Sequence, residues 1–178
     1  MTVRLLVIAA VLWALTALAT PAHAQIAVSY SPAGSPALGR IVRDSGASTF
    51  TISTSGTVTR TSGSAIRLSS ASVTPPTITI SCGFLNLDNF CALRQVRVTV
   101  QAVSNSNAQI THFYIGSLAG NLLWAGTAPS SGPSMTFDLK PLGLLGTGTF
   151  TLGMDVWISG GLTSGSYTFD YIVTASFI

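Results

Sequence analysis

The chain has 178 residues, of which 47% are hydrophobic and only 7% carry a charge. Eight Lys and Arg residues and five acidic residues, all of them Asp, give a formal net charge of +3. So many apolar side chains and so few charges exclude an intrinsically disordered protein, and the length is that of about one domain.

The first 24 residues have the three regions of an export signal. Arg4 supplies the positive charge, residues 5–19 form the apolar region, and Ala-His-Ala at 22–24 is a small-x-small cleavage site. The apolar run is too short for a membrane anchor, and no later segment is apolar for long enough to span a bilayer as a helix. The sequence therefore predicts cleavage after residue 24, export to the periplasm, cell surface or medium, and no integral membrane segment in the mature protein.

The next segment, residues 25–37, ends in a stretch rich in Pro and Gly. Its residues Ile26, Val28 and Tyr30 alternate with smaller or polar ones and so share one face. We predict either an N-terminal extension that donates a strand to a partner or the first strand of the chain's own sheet. A single β-domain is predicted over residues 38–178.

Period-two alternation of apolar and polar residues recurs along this domain and is typical of strands with one buried face. Turns rich in Gly, Pro, Asn and Ser separate the stripes, and no amphipathic helix of crossover length lies between them. The pattern predicts an all-β fold, an antiparallel two-sheet sandwich of Ig-like or pilin-like type. The predicted strands include residues 49–53, 77–82, 96–102, 135–140, 150–158 and 167–177.

Cys82 and Cys91 are the two cysteines of the chain. Both lie in the exported part, where an oxidising compartment favours a disulfide between them. A zinc site would need further ligands, and His112 is the one histidine after the signal. We therefore predict a disulfide, with no metal and no cofactor.

Residues that could carry catalysis are scarce. The nucleophile motif Gly-x-Ser-x-Gly is missing from the sequence, and the five Asp residues are widely separated. His112 lies in the stripe Ile-Thr-His-Phe-Tyr at 110–114, which we interpret as structural. The basic residues are scattered rather than clustered, which disfavours nucleic-acid binding. The sequence predicts a protein that is not an enzyme.

Four short Gly- and Thr-rich stretches carry a family resemblance. They are Leu-Gly-Arg-Ile-Val at 38–42, Gly-Thr-Val-Thr at 56–59, Gly-Thr-Gly-Thr-Phe-Thr-Leu at 146–152 and Gly-Ser-Tyr-Thr-Phe-Asp-Tyr-Ile-Val-Thr at 165–174. In these stretches, at the two ends of the mature chain, the protein resembles an exported bacterial family, domain of unknown function 4402. Its members are similar to pilin-like and spore-coat-U-like β-sandwiches, so the resemblance implies a structural surface protein.

The end of the chain also resembles subunits assembled by the chaperone–usher route. Those subunits carry an alternating apolar last strand, a penultimate aromatic residue and a glycine fourteenth from the end, as Phe177 and Gly165 are here. The resemblance implies that an edge strand pairs with an extended segment of a partner. The residues expected to form this strand-pairing edge are Gly165, Tyr167, Phe169, Tyr171, Val173 and Phe177.

We therefore predict an exported, non-enzymatic structural or adhesive subunit of a fimbrial kind, with copies of itself, other fimbrial subunits and a periplasmic chaperone as its partners. The alternative is a self-contained secreted module that binds carbohydrate or another surface. Such a module would use the loop at residues 84–90 and an exposed Trp124 or Trp157, although packing at the core or at an edge is the commoner fate of tryptophan.

Overall fold

A computed structural model of the chain describes residues 26–42, 45–83, 90–161 and 163–178. The predicted export signal and residues 84–89 of the loop between the cysteines lie outside the described residues. Within these ranges the chain forms antiparallel β-sheets and one helix of a single turn. The all-β class predicted from the alternation is confirmed.

The strands are numbered here in chain order. Those before the short helix are β1 (Ile26–Ser31), β2 (Ala37–Val42), β3 (Ser48–Ile52), β4 (Val58–Ser62), β5 (Ile66–Arg67) and β6 (Thr77–Cys82). The helix is α1 (Phe90–Leu93). The strands after it are β7 (Val96–Ala102), β8 (Ala108–Ile115), β9 (Ala119–Gly120), β10 (Ser134–Leu139), β11 (Thr147–Ile158), β12 (Gly165–Thr168) and β13 (Tyr171–Phe177). In the described part of the chain no helix is long and apolar enough to cross a membrane.

Three sheets organise these strands. The largest has the order β1-β6-β11-β3-β4, with β8 and β9 also paired to β11. The second has the order β10-β7-β13 and the third the order β12-β2-β5. Every pairing between strands is antiparallel, as predicted for a chain without crossover helices.

Strand β11 has partners along both of its edges. Its first half pairs with β6 and β9, and its second half pairs with β3 and β8. Alternate side chains of β11 point into the core and are at most 1% exposed: Phe150, Leu152, Met154, Val156 and Ile158. The side chains on the opposite face are mainly polar. Gly148 is buried on the core-facing side of β11, where Leu122 packs so close to the backbone that an added Cβ would lie 2.6 Å from one of its side-chain carbons.

The predicted continuous strand at residues 167–177 is wrong, because the chain divides there into β12 and β13, which belong to different sheets. At the crossing Phe169 is fully buried and its N–H donates to the Pro36 carbonyl at 3.1 Å. Asp170 accepts a hydrogen bond from the Ser35 hydroxyl. The alternation continues through the crossing because both strands face the core, so the pattern cannot separate one strand from two.

The predicted disulfide is confirmed. Cys82 at the end of β6 is bonded to Cys91 in α1, with their Cα atoms 6.2 Å apart. Both residues are buried, and the Cys91 carbonyl accepts a hydrogen bond from the N–H of Gly143 at 2.9 Å. The disulfide therefore joins the end of a core strand to α1, and α1 is hydrogen-bonded to the turn that precedes β11.

Replacing both Cys82 and Cys91 by Ala is expected to lower the free energy of unfolding by about 2–3 kcal/mol, because the open loop regains conformational entropy in the unfolded chain. Urea denaturation measures this change. A reductant should produce a similar loss in the parent protein and no change in the double variant. Two titratable thiols in the denatured, unreduced parent would contradict the assignment.

Candidate functional site

The predicted strand-pairing edge comprises residues that the structure places on two strands and on the crossing between them: Gly165, Tyr167, Phe169, Tyr171, Val173 and Phe177. The first two lie on β12, which pairs with β2 in its own sheet. Phe169 lies at the buried crossing, and the last three lie on β13. The structure therefore brings only the last three together on one edge strand.

β13 is the last strand of the sheet β10-β7-β13, so among the described strands it pairs with β7 alone. The N–H and C=O of Val173 both bond to the hydroxyl of Tyr30, each at 3.1 Å, and so they point away from β7. Successive residues of an antiparallel strand direct their backbone N–H and C=O groups to opposite edges. The backbone groups of Tyr171, Ala175 and Phe177 therefore also point away from β7. On the other side, the N–H of Ile178 donates to the Gln95 carbonyl beside β7.

The predicted donor segment lies in β1, which pairs with β6 of the same molecule over the whole of Ile26–Ser31. The side chains of Ile26, Val28 and Tyr30 are half-buried and pack against the core. The structure therefore places this segment in the chain's own sheet.

Tyr30 links β1 to the unpaired edge of β13. Its ring meets that of Tyr171 edge to face, with centroids 5.8 Å apart. Burial, and then the proximity of Tyr30, raise the pKa of Tyr171 to about 12. A cavity of about 220 Å³ opens at this contact, lined by Tyr30, Ala33, Gly34, Ser35, Tyr171 and Ile172. One hydroxyl thus satisfies the outward backbone groups of Val173, where a neighbouring strand would otherwise pair.

A second candidate surface, of which the sequence pointed only to Trp157, lies on the solvent side of β3, β8 and β11. We call it the outer face, and its residues are Thr49, Thr51, Gln109, Thr111, His112, Tyr114, Asp155 and Trp157. A β-bulge forms it, because the register of β8 against β11 shifts between Asp155 and Val156. The extra residue lets Ile110 and Phe113 both enter the core while Thr111 and His112 both face outward.

Asp155 lies at the centre of the outer face. Its two carboxylate oxygens accept hydrogen bonds from the hydroxyls of Thr51 and Tyr114. His112 is directly opposite in the ladder, with Nδ1 3.8 Å from Oδ2 of Asp155. The carboxylate side chain is 19% exposed and the imidazole 50% exposed, so ligand can reach both. The hydrogen bond that Tyr114 donates to Asp155, followed by burial and the negative charge of Asp155, raises the pKa of Tyr114 to about 12.

Trp157 follows on the same face of β11, between Gln109 of β8 and Thr49 of β3. All three side chains are partly exposed, and none of them donates or accepts a hydrogen bond with another described residue. Trp124 differs, because it pairs with Leu139 through a β-bridge and packs against the ring of Phe137 with centroids 5.2 Å apart. Of the two predicted tryptophans, Trp157 lies on the outer face, whereas the partly buried ring of Trp124 packs against the core.

The polar groups of the outer face are not arranged as a catalytic triad. His112 approaches both the Thr111 hydroxyl, at 3.4 Å, and Asp155 through the same atom, Nδ1. A triad needs the two ring nitrogens to face the nucleophile and the carboxylate separately. In the described ranges no three His, Cys, Asp or Glu side chains gather as a metal site would require.

Comparison of the chain with protein-family models, curated proteins and solved structures finds no match.

Replacing Tyr114 by Phe is expected to remove one late-ionising tyrosine from an alkaline titration. The pKa of Tyr114 is about 12 in the folded protein and about 10 in an unfolded chain. The hydrogen bond of the neutral phenol therefore makes its full contribution to the free energy of unfolding below about pH 10. That contribution is lost as the pH rises towards 12. Tyrosinate absorbance measures the ionisation.

The matched control for this titration is Tyr171→Phe, which should remove the other late step and leave that of Tyr114. A late step of unchanged amplitude in Tyr114→Phe would contradict the hydrogen bond to Asp155.

Proposed function

We propose that this chain is an exported, non-enzymatic structural or adhesive subunit of a bacterial surface, a pilin-like β-sandwich that associates through the edge of β13. The observation that carries the proposal is the edge itself. Its outward backbone groups are met at Val173 by a single side-chain hydroxyl rather than by a strand. An extended segment of a partner would add to such an edge through main-chain hydrogen bonds.

Contacts between the sheets support the sandwich. Phe137 of β10 meets Phe150 of β11 at a centroid distance of 5.7 Å, and Phe113 of β8 meets Tyr171 of β13 at 6.2 Å. Both contacts join the largest sheet to the sheet β10-β7-β13. An apolar core shared by these two sheets supports the layered arrangement of a sandwich.

The sequence supplies the rest of the proposal. The export signal and the resemblance to domain of unknown function 4402 at both ends of the mature chain favour a surface protein. The disulfide fits an oxidising compartment. On this proposal the partners are copies of the chain or other fimbrial subunits, with a periplasmic chaperone that protects the edge before assembly.

A second candidate function is a self-contained secreted binding module. The observation that favours it is the pairing of β1 with β6, because a strand held in its own sheet is not free to be donated. The two candidates differ in whether the edge of β13 receives a partner.

Replacing Ala175 by Pro tests the edge. The N–H of Ala175 points away from β7, so proline removes a donor for an incoming strand without removing a hydrogen bond of the existing ladder. Size-exclusion chromatography with light scattering over a range of protein concentrations should show oligomers in the parent and monomers in the variant.

Thr174→Ala is the matched control, because the backbone of Thr174 faces β7 and its side chain is exposed. It should assemble like the parent. Assembly that persists in Ala175→Pro would contradict pairing at this edge, and a parent that is monomeric at every concentration would favour the self-contained module.

A further inference from the structure

The outer face has the chemistry of a ligand site that edge-strand assembly does not use. Strand β11 is paired on both edges beneath it, so its backbone has no free edge with which to recognise a partner there. Recognition at this surface must come from side chains. The surface offers one partly exposed indole, one carboxylate, and hydroxyl, amide and imidazole groups close to them.

We propose that the outer face binds a neutral saccharide, with the apolar face of one sugar ring on Trp157 and its hydroxyls bonded to the polar neighbours. The C–H face of a sugar ring carries slight positive charge and fits the negative face of an indole ring. Asp155 lies two residues away on the same face, a distance of roughly 7 Å along the strand. A ring on Trp157 therefore brings its hydroxyls beside the carboxylate.

The hydrogen-bonding groups of this surface fall into two rows. In the row of Trp157, the amide of Gln109 and the hydroxyl of Thr49 have no partner among the described residues, so they can bond to a ligand without breaking an existing bond. In the next row Asp155 is held in place by Thr51 and Tyr114. A fixed acceptor beside uncommitted donors and acceptors suits a ligand that is rich in hydroxyls.

A cavity beside Gln109, the ladder partner of Trp157, offers room for more than one sugar unit. It has a volume of about 430 Å³ and shares Gln109 and Thr111 with the outer face. Among the described residues that line it, none carries a charge, and the polar ones are Gln101, Ser104, Gln109, Thr111 and Ser134. Amides and hydroxyls are the groups that bind further neutral sugar units.

The charge of the outer face selects against acidic sugars. Its one formal charge is the carboxylate of Asp155, and a ligand carboxylate beside it would be repelled in this partly buried position. A proline-rich peptide fits less well, because the second aromatic ring, Tyr114, lies beyond the Asp155 row and its hydroxyl is committed to that carboxylate. The features together favour a neutral oligosaccharide.

The test is a printed array of neutral and sialylated glycans probed with the purified protein, followed by calorimetric titration with the strongest neutral glycan. Trp157→Ala should weaken binding at least about tenfold, which is about 1.4 kcal/mol. Gln109→Ala should weaken it less. Trp124→Phe is the matched control and should bind like the parent, because Trp124 packs against Phe137 of another sheet and does not belong to the outer face.

Thermal unfolding of Trp157→Ala verifies that the variant is folded, and Trp157→Phe, which keeps a ring, should retain part of the affinity. The proposal is overturned if the parent binds no neutral glycan on the array, if sialylated glycans alone bind, or if folded Trp157→Ala binds as tightly as the parent. Ala175→Pro should bind glycan normally, so failure of assembly and failure of glycan binding are separate results.

Discussion

The pairing of β11 on both edges is the constraint from which the other features of the structure follow. Backbone N–H and C=O groups in a protein interior are almost always hydrogen-bonded, and each of the twelve residues of β11 pairs with at least one of four neighbouring strands. This fixes which side chains of β11 enter the core, because a shift of one residue would reverse its two faces. The apolar stripe from Phe150 to Ile158 and the polar stripe with Asp155 and Trp157 are two sides of one register.

The pairing of strands also gives the molecule two kinds of surface, the faces of paired strands and the edges of sheets. Where strands are fully paired, as on the outer face, only side chains are left to meet a ligand. Where a sheet ends, as at β13, the backbone itself is available, and Tyr30 occupies part of it. The proposed assembly and the proposed ligand binding therefore draw on different chemical groups in different places, so the two proposals do not conflict.

The features that could be predicted from the sequence are those that depend on the local alternation of apolar and polar residues or on the expected oxidising compartment. The all-β class and the strands around residues 50, 80, 98, 137 and 154 follow from period two, and the bond between Cys82 and Cys91 was expected from the predicted export signal. The crossing at Phe169 did not follow, because the alternation is the same on both sides of it. The outer face did not follow either, since Thr51, His112 and Asp155 meet only through the pairing of three strands distant in sequence.

The bulge in β8 also makes the surface chemistry depend on the number of residues in a strand as well as on their identity. Between Ile110 and Phe113 two residues face outward where a regular ladder has room for one. Deletion of one codon, for Thr111 or His112, would restore the regular ladder and remove one polar side chain from the outer face. Every core residue would keep its type. Insertions and deletions of one residue are thus a route by which descendants of this chain can gain or lose a binding surface while keeping the fold.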